Sequence, residues 1–361
     1  MEPFQYVNQA NRVIFGEGKR NLAKEEVMNL GIRKALVIST PNQNDFANEI
    51  GRILGEFCGH IYADAVQHIP LETVKRTEEI IEKLGIDGLV AVGGGSSIGL
   101  AKAIALHTSL PILAIPTTYA GSEMTPVWGI TKNGVKETGT NPVVKPKVVI
   151  YDAELTVTLP QNFALTSGMN AIAHCVEGLY AENANPIISL LAEEGVRTLN
   201  ESLPRIFENP KDMDARTDAQ YGTMLGGMVL GSVGMALHHK LCHALGGTFN
   251  LPHSETHAVI LPYVVQYNAE YAPQAMKALA RALKTTEKNV PAALFDLAHS
   301  LDSSMSLKDL GMTEEQIPHG AELATKNPYY NPRSVQRNEI YELLQLAYEG
   351  KRPVTGMLSA T

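Results

Sequence analysis

Short apolar runs alternate with amphipathic stretches through the first part of the chain. The segments at 34–40 (KALVIST), 88–94 (GLVAVGG), 111–116 (PILAIP) and 147–152 (KVVIYD) are rich in β-branched and aliphatic residues. Gly, Pro or polar positions bound each one, so each predicts a buried strand. Between them, 47–57 (ANEIGRILGEF) and 71–85 (LETVKRTEEIIEKLG) carry apolar residues at helical spacing. The alternation predicts a mostly parallel sheet with helices on both faces. An Asn-Gly pair within 129–140 predicts an inserted hairpin. From about residue 154 strand-like runs stop, and helical patterns follow at 161–181, 186–207, 217–236 and 237–249. Two domains are expected, α/β over 1–155 and all-α over 156–361, with Pro160 at the turn into the first long helix.

Composition narrows the class. The 361 residues are 44% hydrophobic and 19% charged, as in an ordinary globular protein. A net charge of −8 leaves no basic footprint for nucleic acid and no polybasic anchor for a membrane. Cys58, Cys175 and Cys242 form neither a disulfide framework nor a zinc pattern. The N-terminus lacks signal-peptide blocks, and no apolar run is long enough to span a bilayer, so a reducing cytoplasm is expected.

Candidate chemistry begins at 89–106 (LVAVGGGSSIGLAKAIAL), which reads as strand, glycine turn, helix. Gly93, Gly94 and Gly95 allow close backbone approach, Ser96 and Ser97 are placed to cap the helix, and the helix N-terminus favours an anion. A pyrophosphate fits; a plain strand-to-helix turn fits the glycine content equally. The turn 115–126 (IPTTYAGSEMTP) adds Thr117, Thr118, Tyr119 and Ser122. Two such turns at strand ends predict one Rossmann-like dinucleotide site at the carboxyl edge of the sheet. After the early strand come Ser39, Thr40 and Pro41 rather than a carboxylate for the ribose 2′-hydroxyl. Use of both NADH and NADPH is therefore expected, with Asp45 placed in the next helix.

Six of the eleven histidines fall between 174 and 257. Asn170 and His174 share one helical face, His239 and His243 another, with Leu245-Gly246-Gly247 closing that helix and His253 opening the next element after Pro252. Two such pairs and a third element predict a shared cavity rather than isolated core histidines. A hard divalent ion calls for a carboxylate, and position 170 supplies a neutral amide.

These motifs, "GGGSSIGLAK", "PTTYAGSEMTP", "SGMNAIAHCVE" and "HHKLCHALGGTFNLPH", resemble the iron-containing alcohol dehydrogenase superfamily over essentially the whole chain. The resemblance is strongest to its maleylacetate reductase branch. It implies the dehydroquinate synthase-like fold of that superfamily, with a dinucleotide-binding α/β domain followed by an all-helical domain. The metal ligands of its metal-dependent members fall on Asn170, His174, His239 and His253. A non-ligand histidine near the nicotinamide falls on His243. Asn170 replaces an aspartate, as does Gly99 in the glycine turn, and both departures resemble the branch that works without a required metal. The implied reaction is NAD(P)H-dependent reduction of maleylacetate to 3-oxoadipate in the degradation of aromatic compounds. His243 is the implied proton donor. His174, His239, His253 and Asn170 would line the pocket of a small dicarboxylate, the histidines titrating near physiological pH and attracting it. A homodimer is the family expectation.

Other residues have plainer readings. Lys240 reads as a carboxylate ligand or, equally, as a solvated side chain, Lys102 as exposed on its helix, Arg333 as a salt bridge or subunit contact, and Cys175 and Cys242 as packing. Tyr119 and Trp128 shape a nicotinamide pocket or fill core. The competing functions are a metal-dependent alcohol or aldehyde reductase of the same fold, disfavoured by Asn170 and Gly99, and a non-catalytic dinucleotide-binding regulator, disfavoured by the retained His243.

Overall fold

The computed structural model describes Phe4, Tyr6 and residues 11–133, 135–299 and 305–354. Two compact units divide at Leu159/Pro160. The first carries a six-stranded sheet in the order β1-β8-β5-β4-β2-β3, every neighbouring pair parallel. Its strands are β1 (Arg12–Phe15), β2 (Ala35–Ile38), β3 (Cys58–Tyr62), β4 (Gly88–Gly93), β5 (Ile112–Pro116) and β8 (Val148–Tyr151). The hairpin strands β6 (Val127–Lys132) and β7 (Val135–Thr140) pair antiparallel, with Asn133 in the left-handed region. Gly134 lies outside the described residues.

Side chains alternate across the central strands with period two. Leu36, Ile38, Leu89 and Ala91 meet α3 (Leu71–Leu84) and α4 (Gly95–Thr108) in one core. Val37, Val90, Val92, Leu113 and Ile115 meet α1 (Ala23–Asn29) and α2 (Asn44–Leu54) in a second core on the opposite face. Burial on both faces explains the unbroken apolar runs of β2, β4 and β5. The expected strands are all present. The pattern did not reveal β1 and β3, both edge strands: β1 is only four residues long, and β3 carries Gly59 and His60.

The second unit is helical: α5 (Gln161–Leu179), α6 (Pro186–Glu208), α7 (Met213–Leu230), α8 (Leu237–Phe249), α9 (His253–Asn268), α10 (Pro273–Ala282), α11 (Val290–His299), α12 (Ile317–Thr325) and α13 (Arg337–Glu349). Helix α5 is buried continuously from Ala164 to Gly178. It packs on α6, α7 and α9. The helix expected at 217–236 runs instead from 213 to 230: the Asp212 side chain accepts from Ala215 N at 2.9 Å, and Gly231 ends it. The glycines expected to end α8 lie inside its last turns; Asn250, at φ 56°, stops it. No helix among the described residues is long and apolar enough to cross a membrane.

Glycines set how closely α5 and α7 approach. A Cβ at Gly226 would stand 2.9 Å from the carbonyl oxygen of Ala171, a backbone atom that cannot swing away. Gly226→Ala is therefore expected to lower stability by about 1–3 kcal/mol despite its better helix propensity. A fall in the urea midpoint at unchanged slope checks this.

Candidate active site

The carboxyl ends of β2, β4 and β5 lie side by side, and the polar turns issue from them. Strand order reverses between β2 and β4, where ligands of open α/β sheets bind. Gly93 has φ 141°, and a Cβ there would meet Ser97 Oγ at 2.4 Å. A Cβ at Gly94 would meet Thr118 at 2.8 Å, whereas nothing lies within 4 Å of one at Gly95, which is exposed. Ser96 and Ser97 do not cap α4: the helix starts at Gly95, which puts them inside its first turn with no cap bond. Ser97 Oγ is buried without a partner, facing the glycine turn. An open backbone cradle with an orphaned hydroxyl at a helix N-terminus fits a pyrophosphate.

The second turn is held by residues whose part the sequence hid. Lys102 is not exposed but fully buried. Its Nζ donates to Ser122 O (2.5 Å), Ser122 Oγ (3.2 Å), Thr125 Oγ1 (2.9 Å) and Val127 O (3.0 Å). Burial pulls its pKa down to about 7, opposed by the charge of Glu123. Ser122, expected at the cofactor, thus spends its hydroxyl on Lys102. Gln43 Nε2 donates to Thr117 Oγ1 at 2.7 Å, linking the turns after β2 and β5. Thr118 is buried beside Gly94, and Thr40 precedes a 3₁₀ turn without capping it. Ser39 Oγ is spent on Val92 O at 2.9 Å, and Asp45 sits exposed in the first turn of α2, as expected. Tyr119 is core, its hydroxyl 3.4 Å from Thr156 Oγ1, and Trp128 packs at the edge of the α3/α4 core.

In the helical unit the predicted histidines form one run of rings. His174 stacks on His239 with centroids 5.1 Å apart; His239 lies 6.1 Å from His243, and His243 lies 6.4 Å from His253. His257 wedges between His239 (4.9 Å) and His253 (4.4 Å), and His238 closes the cluster 4.8 Å from His257. Asn170, His174, His238, His239 and His257 are buried, while His243 and His253 are exposed.

Glu177 was missed, though it stands three residues after His174 on the same face of α5. Its Oε1 accepts from His238 N at 2.6 Å. Its Oε2 accepts from Ala236 N at 2.8 Å, His239 N at 3.4 Å and His239 Nδ1 at 2.7 Å. These backbone N–H groups are the free donors at the start of α8. Burial pushes the Glu177 carboxyl up, and His238 and the backbone donors pull it back. With donors on both oxygens the group is a carboxylate, so it takes His239 with Nδ1 protonated and leaves Nε2 bare. Among the described residues Nε2 has no partner, nor have Asn170 Oδ1, His174 Nδ1 and both nitrogens of His257.

Electrostatics overturn one expectation. Burial, reinforced by neighbouring imidazoles, holds His174, His239 and His257 well below the ordinary histidine range and His238 at about 4. The inner imidazoles are neutral at physiological pH and do not themselves attract an anion. Lys240 is also not simply solvated: it is half-buried, with Nζ 5.6 Å from the Tyr329 ring centroid. Arg333 pairs with Glu339 at 2.7 Å and stacks on Tyr267 at 4.2 Å. Cys175 and Cys242 are buried packing residues, and burial pushes the Cys175 thiol up to about 12.

The donor set does not fit iron(II). Position 170 offers a neutral carbonyl, and the Glu177 carboxylate is committed to N–H donors. Among the described residues, the ligand-type atoms within 4.8 Å of one another belong to His238, His239 and His257 rather than to His174, His239 and His253.

Comparisons place the whole chain. A model described as iron-containing alcohol dehydrogenase matches residues 10–153. One described as Fe-containing alcohol dehydrogenase family, C-terminal, matches 164–348. Maleylacetate reductase of Burkholderia cepacia is 49% identical over 98% of this chain and 100% of its own length. The crystal structure of maleylacetate reductase from Agrobacterium tumefaciens superposes with a TM-score of 0.94 at 47% identity, covering 98% of this chain and 100% of that one. That of the Rhizobium sp. strain MTP-10005 enzyme gives 0.94 at 48% identity over the same shares.

Two stability measurements test this site. Glu177→Ala, which strands the donors at the start of α8, is expected to cost about 3–5 kcal/mol in urea denaturation. The unfolded chain protonates histidines at about 6.5 that the fold keeps neutral, so it binds more protons in acid. Stability is therefore expected to fall as pH drops from about 6.5 towards 4, and His238→Gln should make that slope shallower.

Proposed function

Since the chain belongs to the iron-containing alcohol dehydrogenase family, among its maleylacetate reductases, we infer that it reduces maleylacetate to 3-oxoadipate with a nicotinamide coenzyme. The carrying observation is identity near one half along the full length of both chains, across the α/β and helical units alike.

Gly93–Gly95, Ser97, Thr117 and Thr118 would hold the reduced nicotinamide coenzyme, which would supply a hydride to the alkene carbon remote from the ketone and leave an enolate at the ketone oxygen. Protonation of the carbon next to the ketone then gives the saturated keto-diacid. The reaction needs a proton source and donors at the developing oxyanion. His243, exposed and with its Nδ1 3.5 Å from Tyr329 Oη, is assigned as the proton donor. The buried amide of Asn170, one helical turn before His174, would offer an N–H to the substrate. No metal enters this reading, because the residues at the ligand positions carry no free anion.

The absence of a carboxylate at Ser39–Pro41 supports use of both coenzymes. The lack of a disulfide pattern supports a cytoplasmic setting, and family membership supports a homodimer. Oxidation of NADH and NADPH by freshly generated maleylacetate, on chelator-stripped protein, tests the reading. Turnover with both coenzymes is expected, changing less than about twofold when Fe²⁺ or Zn²⁺ is added. In the same assay His243→Ala should lower turnover about 100-fold or more. No turnover with either coenzyme overturns the activity, strict use of one overturns dual use, and a large metal rescue overturns the metal-free reading.

A further inference from the structure

A dicarboxylate needs positive charge where it binds, and the inner imidazoles do not provide it. Burial keeps His174, His238, His239 and His257 neutral, and Glu177 adds a negative charge beneath them. A cation elsewhere on the same helices would supply it. Lys240 lies on α8 itself, and Lys326 and Arg333 follow α12 in the chain. Lys326 is paired with Glu322 at 2.9 Å and Arg333 with Glu339 at 2.7 Å. Lys240 has no carboxylate within 4.0 Å among the described residues.

Lys240 follows His239 and precedes His243 by three residues, so Lys240 and His243 share a side of α8. Both reach the same ring: Lys240 Nζ lies 5.6 Å from the Tyr329 centroid, and Tyr329 Oη lies 3.5 Å from His243 Nδ1. Just after Tyr329 in the chain, a polar turn is tied to the end of α9. Asn331 and Asn268 exchange amide hydrogen bonds at 2.7 and 2.9 Å, and Arg333 is held between Tyr267 and Tyr271. Burial and the charge of Glu177 push the Tyr329 phenol up, so its hydroxyl stays protonated as a donor. A half-buried ammonium with no carboxylate partner, a phenolic O–H and an imidazole converge on one half-exposed spot.

We propose that Lys240 and Tyr329, with His243 beside them, bind one carboxylate of the dicarboxylate substrate. The ammonium takes one carboxylate oxygen and the phenol donates to the other, both as charge-assisted hydrogen bonds. Lys240 and Tyr329 are thereby specificity-determining residues: they select a substrate bearing a carboxylate where an alcohol or simple aldehyde has none. The proposal rests on the functional reading above.

Steady-state kinetics and binding test it together. Lys240→Met is expected to raise the KM for maleylacetate about tenfold or more, with kcat and the KM for NADH within about twofold of the parent. Lys240→Arg should recover most of the loss, and Tyr329→Phe should show a smaller rise of the same kind. Calorimetric titration with adipate, set against hexanoate, gives a readout free of turnover: the parent should prefer the dianion, and Lys240→Met should lose that preference. Should Lys240→Met fold poorly, Lys240→Gln replaces it. A folded variant with parental KM for maleylacetate and parental preference for adipate overturns the proposal while leaving the activity intact. A parent that binds adipate through Lys240 yet does not reduce maleylacetate overturns the activity and leaves the carboxylate site standing.

Discussion

The Glu177 carboxylate leaves α5 and accepts the free N–H groups at the start of α8. A helix N-terminus carries roughly half a positive charge, and a buried anion is tolerable only where such donors surround it. The same oxygen that accepts from Ala236 N accepts from His239 Nδ1. One contact therefore docks two helices and fixes which nitrogen of His239 faces inward. The glycine seam between α5 and α7 sets the position of α5, and with it Asn170, His174 and Glu177 together. The histidine run inherits its geometry from these two constraints.

The charge distribution follows. Asn170 brings no anion, and Glu177 is occupied by N–H donors. The imidazoles settle the matter by staying neutral, since burial and mutual repulsion both oppose protonation. The wall of the helical unit is thus neutral and lined with hydrogen-bonding nitrogens and oxygens. The turns after β2, β4 and β5 in the α/β unit instead carry glycine backbone and hydroxyl groups.

Periodicity carried the architecture far. Central strands buried on both faces leave uninterrupted apolar runs, so β2, β4, β5 and β8 were legible, whereas the edge strands β1 and β3 have only partial burial and left no such mark. Helix α5 was legible by length, but its all-round burial erased the stripe that would have told which face holds the chemistry. Spacing brought Asn170, His174, His239, His243 and His253 together, because i,i+4 pairs survive any rotation of a helix. Lys102 was misread since a lone lysine in an apolar helix looks like a solvated side chain; only the return of residues 122–127 beneath it supplies four oxygens. Glu177 carried a readable signal, its place two turns after Asn170 on one face, yet its partners lie on another helix some sixty residues away.

Packing bears on one position just after the glycine turn. At Gly99, where the resemblance places an aspartate in relatives, a Cβ would stand 3.1 Å from Cδ1 of Ile69. Ile69 is itself bent into the left-handed region at φ 47°, next to His68 at φ 64°, a costly conformation for a β-branched residue. A side chain at 99 would need the end of Ile69 to give by a few tenths of an ångström, so close packing as well as charge sets this position apart from one that holds a carboxylate.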